Sequence, residues 1–320
     1  MNSEQRKQAS IDLTLTYLSS YYTDWRLAKI LTIQKLVSER YTFFKSIIRE
    51  VKQFDDNSGE ATIAQEIKNG LYFDAIGECV QYIEDLFALI KASENPDYFI
   101  KNIVTYDAGR ITNFIKSFRP SKTNIAKAFH YPGELELESQ EHINMYEEGI
   151  NNLISLVDSL VKFYSDYEFL YIQYKHGLAV AMRTFGNKFN EEQIENDKLE
   201  SNEPYLAVYD NFNLTAASKK GRVKVKHGVF MSGFTKNVRP YISQLANENN
   251  FLRLVVPPDT PDFNIDFLID NARRVKTCLN TFMFNYSRKI KPEVGKVEFQ
   301  LPEDYKENKF LTCSYFIDNN

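Results

Sequence analysis

With 320 residues, 43% of them hydrophobic and 26% charged, the chain can bury a sizeable core and lies outside the composition of disordered proteins. Asp12, Thr14 and Thr16 interrupt the one apolar run near the N-terminus, unlike a secretory signal, and no stretch approaches the ~18 uninterrupted apolar residues of a membrane span. Cys79, Cys278 and Cys313 are an odd number at wide spacing, which argues against a disulfide framework or a zinc site, so the expectation is a cytoplasmic protein with no metal, no cofactor and no membrane.

The net charge of −4 conceals an asymmetry. Between Ser218 and Lys291 stand 14 Lys or Arg against 5 Asp or Glu, which leaves 25 against 38 in the rest of the chain, given totals of 39 and 43. A basic region of this kind points either to an anionic partner or to pairing with the acidic remainder of the same chain.

In chain order, apolar residues first recur at helical spacing through Ile11, Leu15, Leu18 and Tyr22, then from Leu27 through Ile30, Leu31, Leu36, Phe43, Phe44, Ile47 and Ile48 to Val51. The pattern resumes over 61–91. Asn95 before Pro96 reads as an N-cap with proline at the first helical position, opening a helix that runs toward Phe118. Arg119-Pro120-Ser121 ends it, a short helix follows at 122–130, and Tyr131-Pro132-Gly133 forms a break. Ser139 starts the longest periodic stretch, carried by Ile143, Ile150, Leu153, Val157, Leu160 and Tyr164 onward to Met182. After a polar linker at 187–203 the period changes. Tyr205 to Tyr209 is rich in strand formers, Arg222 to Lys226 alternates basic and apolar residues, a helix is expected over 262–290, and 297–301 and 310–317 read as closing strands. The fold class is therefore mainly α: a long-helix bundle over 1–190, followed by a small basic α+β unit over 191–320.

Tyr171-Ile172-Gln173-Tyr174-Lys175-His176-Gly177 is a polar, histidine-centred block inside the longest helix. On an ideal helix His176 shares a mostly apolar face with Phe169, Ile172, Ala179, Val180 and Arg183. Desolvation there lowers an imidazole pKa, and a neutral imidazole is either a general base or a buried residue bonded to a neighbouring helix. Tyr164, Tyr167, Tyr171 and Tyr174 form a separate stripe, read as packing with its hydroxyls at the rim of the bundle. As a second aromatic face it also implies self-association, giving a homodimer.

This block, together with the order of long helices over residues 10–190, resembles the HEPN superfamily of helical-bundle domains found in RNA-targeting toxins and antiphage systems. The resemblance implies a protein of RNA metabolism or defence. Active members carry an arginine, four to six residues and then a histidine, two such pairs meeting across a dimer interface for metal-independent RNA cleavage. His176 matches the histidine, whereas the arginine positions hold Tyr171, Leu170 or Phe169. Either Lys175 or Arg183 supplies the cation, or the domain keeps the fold without the chemistry. Arg110, beside Ala108 and Gly109, is a further candidate to reach His176 from another helix.

Other constellations read as ordinary surface. Glu78, Glu84 and Asp85 sit at the spacing of a solvated helix face, and His130 and His142 flank the proline-glycine break without partners. Lys219, Lys220, Arg222, Lys224 and Lys226 are candidate phosphate contacts for RNA or another polyanion, with Phe230 and Phe234 close by for stacking. Two functional classes follow: an RNA-directed protein, and an interaction scaffold that binds an acidic partner.

Overall fold

A computed structural model describes residues 3–51, 60–131, 140–175, 180–181, 205–209, 214–218, 221–225, 229–233, 252–255 and 265–291. The architecture is mainly α, a bundle of long helices. In order these are α1 (Ser3–Ser20), α2 (Trp25–Ser38), a 3-10 turn (Tyr41–Phe44), α3 (Lys45–Val51), α4 (Glu60–Ser93), a second 3-10 turn (Pro96–Tyr98), α5 (Phe99–Val104), α6 (Ala108–Ser117), α7 (Lys122–Ala128) and α8 (Gln140–Lys175). Short strands β1 (Val180–Ala181), β2 (Tyr205–Tyr209), β3 (Leu214–Ser218), β4 (Gly221–Val225), β5 (Val229–Gly233) and β6 (Leu252–Val255) precede α9 (Ile265–Ile290).

The chain forms two compact units from interleaved segments, one of Met1–Ala28, Cys79–Asp166 and Asp270–Asn320, the other of Lys29–Glu78 and Tyr167–Ile269. In the first, periodic apolar residues close a core around Val80, Ile83 and Phe87 of α4, Ile115 of α6, Leu153, Val157 and Leu160 of α8, and Leu279 and Phe282 of α9, all at most 1% exposed. Burying each such side chain contributes on the order of 1.5–3 kcal/mol. One expected helix is broken in three. Asn95 takes the expected N-cap position before Pro96, but it heads a 3-10 turn without a side-chain cap bond, and the helix from there toward Phe118 divides at Thr105–Asp107, because Asp107 accepts from the Arg110 backbone N–H at 2.8 Å and starts α6 afresh.

α7 ends in a Schellman motif. The Tyr131 N–H donates to Ala126 O at 2.9 Å and the His130 N–H to Lys127 O at 3.4 Å, with His130 left-handed at φ 53°. Glycine usually fills this position, since a Cβ is strained there. A histidine in it must be held by other contacts.

In the second unit, Phe44 and Ile48 pack on Ile63 and Ala64 of α4. Further along α4, Gly77 lies against Tyr171, where an added Cβ would stand 3.4 Å from the ring. Phe73 stacks on Tyr174 with centroids 5.8 Å apart. α8 ends at Lys175, short of the expected Met182, and Val180 and Ala181 instead pair in parallel with Phe230 and Met231. The helical face drawn from Phe169 to Arg183 therefore does not continue through Val180. The sheet runs β1-β5-β2-β6, with β3-β4 as a separate hairpin in which Arg222 pairs with Ala217 and Lys224 with Thr215. β2 and β4 match expected strands, whereas 297–301, 310–317 and the boundary near residue 190 lie outside the described residues.

Candidate functional site: an aromatic cleft at the first helical turn

α1 and α2 meet at a turn that carries four aromatic residues, Tyr17, Tyr21, Tyr22 and Trp25, the last being the only tryptophan of the chain. Backbone bonds close the turn: Tyr21 N–H donates to Leu18 O, Trp25 N–H to Tyr22 O, each at 3.3 Å, and Ala28 N–H to Asp24 O at 2.8 Å. The buried Tyr82 of α4 pins it from beneath by donating its hydroxyl to Thr23 O. Lys276 of α9 holds Asp24 at 2.9 Å. A short turn fixed from three sides presents its side chains with little entropy left to lose on binding.

These residues line a cleft of about 650 Å³. Its floor is an ion pair in which Arg26 Nε donates to Asp85 Oδ2 at 2.6 Å, with Nη2 at 3.4 Å from Oδ1 and Nη1 bonded to Gln81. Tyr21 donates its hydroxyl to the same Asp85 oxygen at 3.2 Å. Burial, and then the Asp85 charge, push the Tyr17 and Tyr21 phenols up, and burial with Asp24 and Asp85 does the same to Tyr82. They stay protonated donors. With Asp85 taken by Arg26 and Tyr21, the floor carries no net charge and supplies a planar guanidinium. At the mouth Tyr22 is 64% and Trp25 54% exposed, so two large rings face solvent. Such an arrangement suits a flat aromatic ligand, which can stack on rings and guanidinium alike.

The carboxylates expected on a solvated face are not there. Asp85 forms the cleft floor; Glu84 accepts from Tyr164 at 2.8 Å and from Tyr106 at 3.4 Å; Glu78 receives Lys29 at 2.7 Å. Each partner comes from another element of the fold, where periodicity along α4 carries no information.

His130 is likewise no surface residue. Its Nδ1 lies 3.0 Å from Lys289 Nζ and its Nε2 2.8 Å from Ser93 Oγ, with the ring 4.7 Å from that of Tyr286. An ammonium only donates, so Nδ1 accepts, Nε2–H donates to Ser93 Oγ, and the serine hydroxyl goes on to Ile90 O at 2.7 Å. Burial, reinforced by Lys289, drives the imidazole down to about 3. The chain of donors runs away from the histidine toward the serine, opposite to what a nucleophile and its base require. The cluster fastens the left-handed end of α7 to α4 and α9.

Among the residues singled out from the sequence, Lys175 is exposed at the end of α8 and Tyr171 is buried at 8%. His176, Arg183, Lys219, Lys220, Lys226 and Phe234 lie outside the described residues, and Arg222 and Lys224 are strand residues of β4. Three of the four stripe tyrosines are closed over within their own chain, and the fourth, Tyr174, is half-buried. Tyr164, Tyr167 and Tyr171 are buried, Thr112 Oγ1 stands 2.9 Å from the Tyr164 hydroxyl, and Tyr174 bonds Asp74. The stripe is therefore not the open second face from which self-association was expected. Among the described residues no helix is long and apolar enough to cross a membrane, and no group of three or more His, Cys, Asp and Glu comes together as a metal site. The cleft itself escaped sequence reading, although the dense Tyr21-Tyr22-Thr23-Asp24-Trp25 run at a helix break was a usable signal. Comparison with family models, curated proteins and solved structures found no match.

Proposed function

We propose that this protein binds RNA, in RNA metabolism or defence as its HEPN-like helical order implies, and that the cleft between α1 and α2 takes an unstacked base. One observation carries the reading: Tyr22 and Trp25 are held half or more exposed on a pinned turn and line the same cleft as Arg26. Stacking of a base on such rings contributes ~1–3 kcal/mol and is indifferent to sequence. The energy comes from shape and π-surface, since the floor is neutral.

The sole tryptophan makes the test direct. Titration of short single-stranded oligoribonucleotides is expected to quench Trp25 fluorescence saturably, and Tyr22→Ala to weaken binding about tenfold with the fold intact. Fluorescence unmoved by RNA at high micromolar concentration would end the proposal. A second reading, an interaction scaffold, draws on the exposed Tyr98, Val104 and Tyr106 at 52%, 78% and 44%. It requires that Val104→Ser disrupt a protein complex and leave RNA titrations unchanged.

A further inference from the structure

Because the cleft is neutral, RNA held there needs its phosphates neutralised elsewhere, and the basic region read from the sequence is not the only source. Between Phe99 and Phe129 stand six basic residues, Lys101, Arg110, Lys116, Arg119, Lys122 and Lys127, against the single acid Asp107. All six are exposed. On α6 the inward positions Ile111 and Ile115 are buried, whereas Arg110, Asn113, Lys116 and Ser117 recur at i, i+3, i+6 and i+7 along the outer stripe. Arg110 and Lys116 lie about 9 Å apart along the axis at 1.5 Å per residue. The neighbouring Gly109 is open, since an added Cβ would meet only Asp107 Oδ1 within 4 Å, so a strand can approach the backbone here.

Among the described acids, Glu147 takes up one of the six, Lys122, at 3.0 Å, which removes Lys122 from the set, and Glu94 pairs with Lys91 at 2.6 Å. Asp107 spends an oxygen on the N-cap of α6. Arg119 turns its guanidinium onto Lys116 O and Phe118 O at 3.0 and 3.1 Å, which stiffens the α6–α7 corner. The start of α5 lies beside the cleft. Tyr17 at the cleft wall packs edge-on against Phe99, the first residue of α5, with centroids 5.9 Å apart. Lys101, a half-turn along α5, lies 5.4 Å over the exposed Tyr98 ring, leaving a cation and an aromatic ring side by side.

We infer that the outer face of α5, α6 and α7 is a phosphate-binding track for single-stranded RNA, with Lys101, Arg110, Lys116 and Lys127 neutralising the strand whose base enters the cleft. The inference rests on the RNA-binding reading of the cleft, and it assigns to this face the salt-dependent part of the affinity. Lysine and arginine on a helix face hold phosphates without reading bases, so the track has no sequence preference.

The test is fluorescence anisotropy with a labelled 12-nucleotide oligouridylate between 50 and 300 mM KCl. Each phosphate contact contributes about −0.7 to the log-log salt slope for single strands, so Lys101→Gln/Arg110→Gln/Lys116→Gln should flatten the slope by about 2 and weaken binding at least tenfold at low salt. These side chains are exposed, and an unchanged melting curve confirms that the variant folds. Tyr22→Ala serves as the counterpart: it should weaken binding with the slope unchanged. If the triple variant keeps the wild-type slope and affinity while Tyr22→Ala binds weakly, the track is wrong and the cleft stands. If the slope instead follows Lys219→Gln/Lys220→Gln/Arg222→Gln alone, the phosphates are held by the region read from the sequence and the track is again wrong. If wild-type protein does not bind the oligonucleotide, both proposals fall.

Discussion

Replacing His130 with asparagine should change how stability depends on pH more than stability at neutrality. Asparagine tolerates the left-handed backbone at φ 53° that closes α7, so the variant keeps the motif and loses only the imidazole. At pH 7 the loss of the Ser93 and Lys289 contacts, at 2.8 and 3.0 Å, costs about 1–2 kcal/mol. The folded imidazole sits at about 3 against 6.5 when unfolded, so between those values the unfolded chain holds a proton that the folded one does not. Stability is then fully present above 6.5 and drains away as pH falls toward 3, by up to about 1.4 kcal/mol per pH unit. From pH 7 to 4.5 wild type loses about 2–3 kcal/mol through this residue, and the variant loses none of it. Urea unfolding at pH 7, 6, 5 and 4.5 reads the difference directly. The gap between the two proteins should close or reverse by pH 4.5. Parallel profiles across that range would show that His130 is not held neutral by burial and Lys289, and the latch would have to be abandoned.

Other outcomes follow from single contacts. Lys68 is 2% exposed, donates to Glu39 O, and lies 5.8 Å over the Phe44 ring; burial lowers its amine to about 8 from 10.5. Lys68→Met should therefore stabilise the protein by about 1–2 kcal/mol at pH 7, since the cost of burying the charge exceeds one hydrogen bond. Wild type should regain that difference between pH 8 and 10.5, where the unfolded chain holds the extra proton; a loss of stability in Lys68→Met at pH 7 would refute the account. Gly77→Ala places its Cβ at ordinary contact distance, 3.4 Å, from the Tyr171 ring, so the gain in helix propensity of up to about 1 kcal/mol should show as a higher melting temperature, whereas Gly77→Leu should unfold the region. Tyr171 stands where the HEPN resemblance would call for an arginine and is buried against that glycine, so purified protein should bind a mixed RNA pool without cutting it, and His176→Ala should leave binding within about twofold. Cleavage products that vanish in His176→Ala would overturn this expectation.

The helices were legible in the sequence because burial on one face imposes a local period. Ile111 and Ile115, or Leu153, Val157 and Leu160, announce their helix whatever packs against it. Cap signals were less legible: Asn95, read as a cap, makes no side-chain cap bond, whereas Ser121, read only as part of a helix end, accepts from Asn124 N–H at 3.2 Å. At Asp107 the same signal was present, but the apolar rhythm ran across it and hid the break. The fate of a polar side chain was not legible. Glu84 and Asp85 are adjacent in sequence, yet one receives a tyrosine from α8 and another from the turn before α6, and the other an arginine from α2.

By itself, then, the sequence determined the mainly α class, the order of the long helices and the amino acids placed at each turn, since these depend on interactions within a few residues. Tertiary structure decided that His130 is a latch, that three of the four stripe tyrosines are covered, and that four aromatics around one turn line a cleft with Arg26 and Asp85. Those outcomes depend on side chains brought together from positions such as 26 and 85, or 93, 130 and 289. No period along the chain encodes such a meeting, because it is set by how the helices pack and by the cost of leaving a buried polar group unpaired.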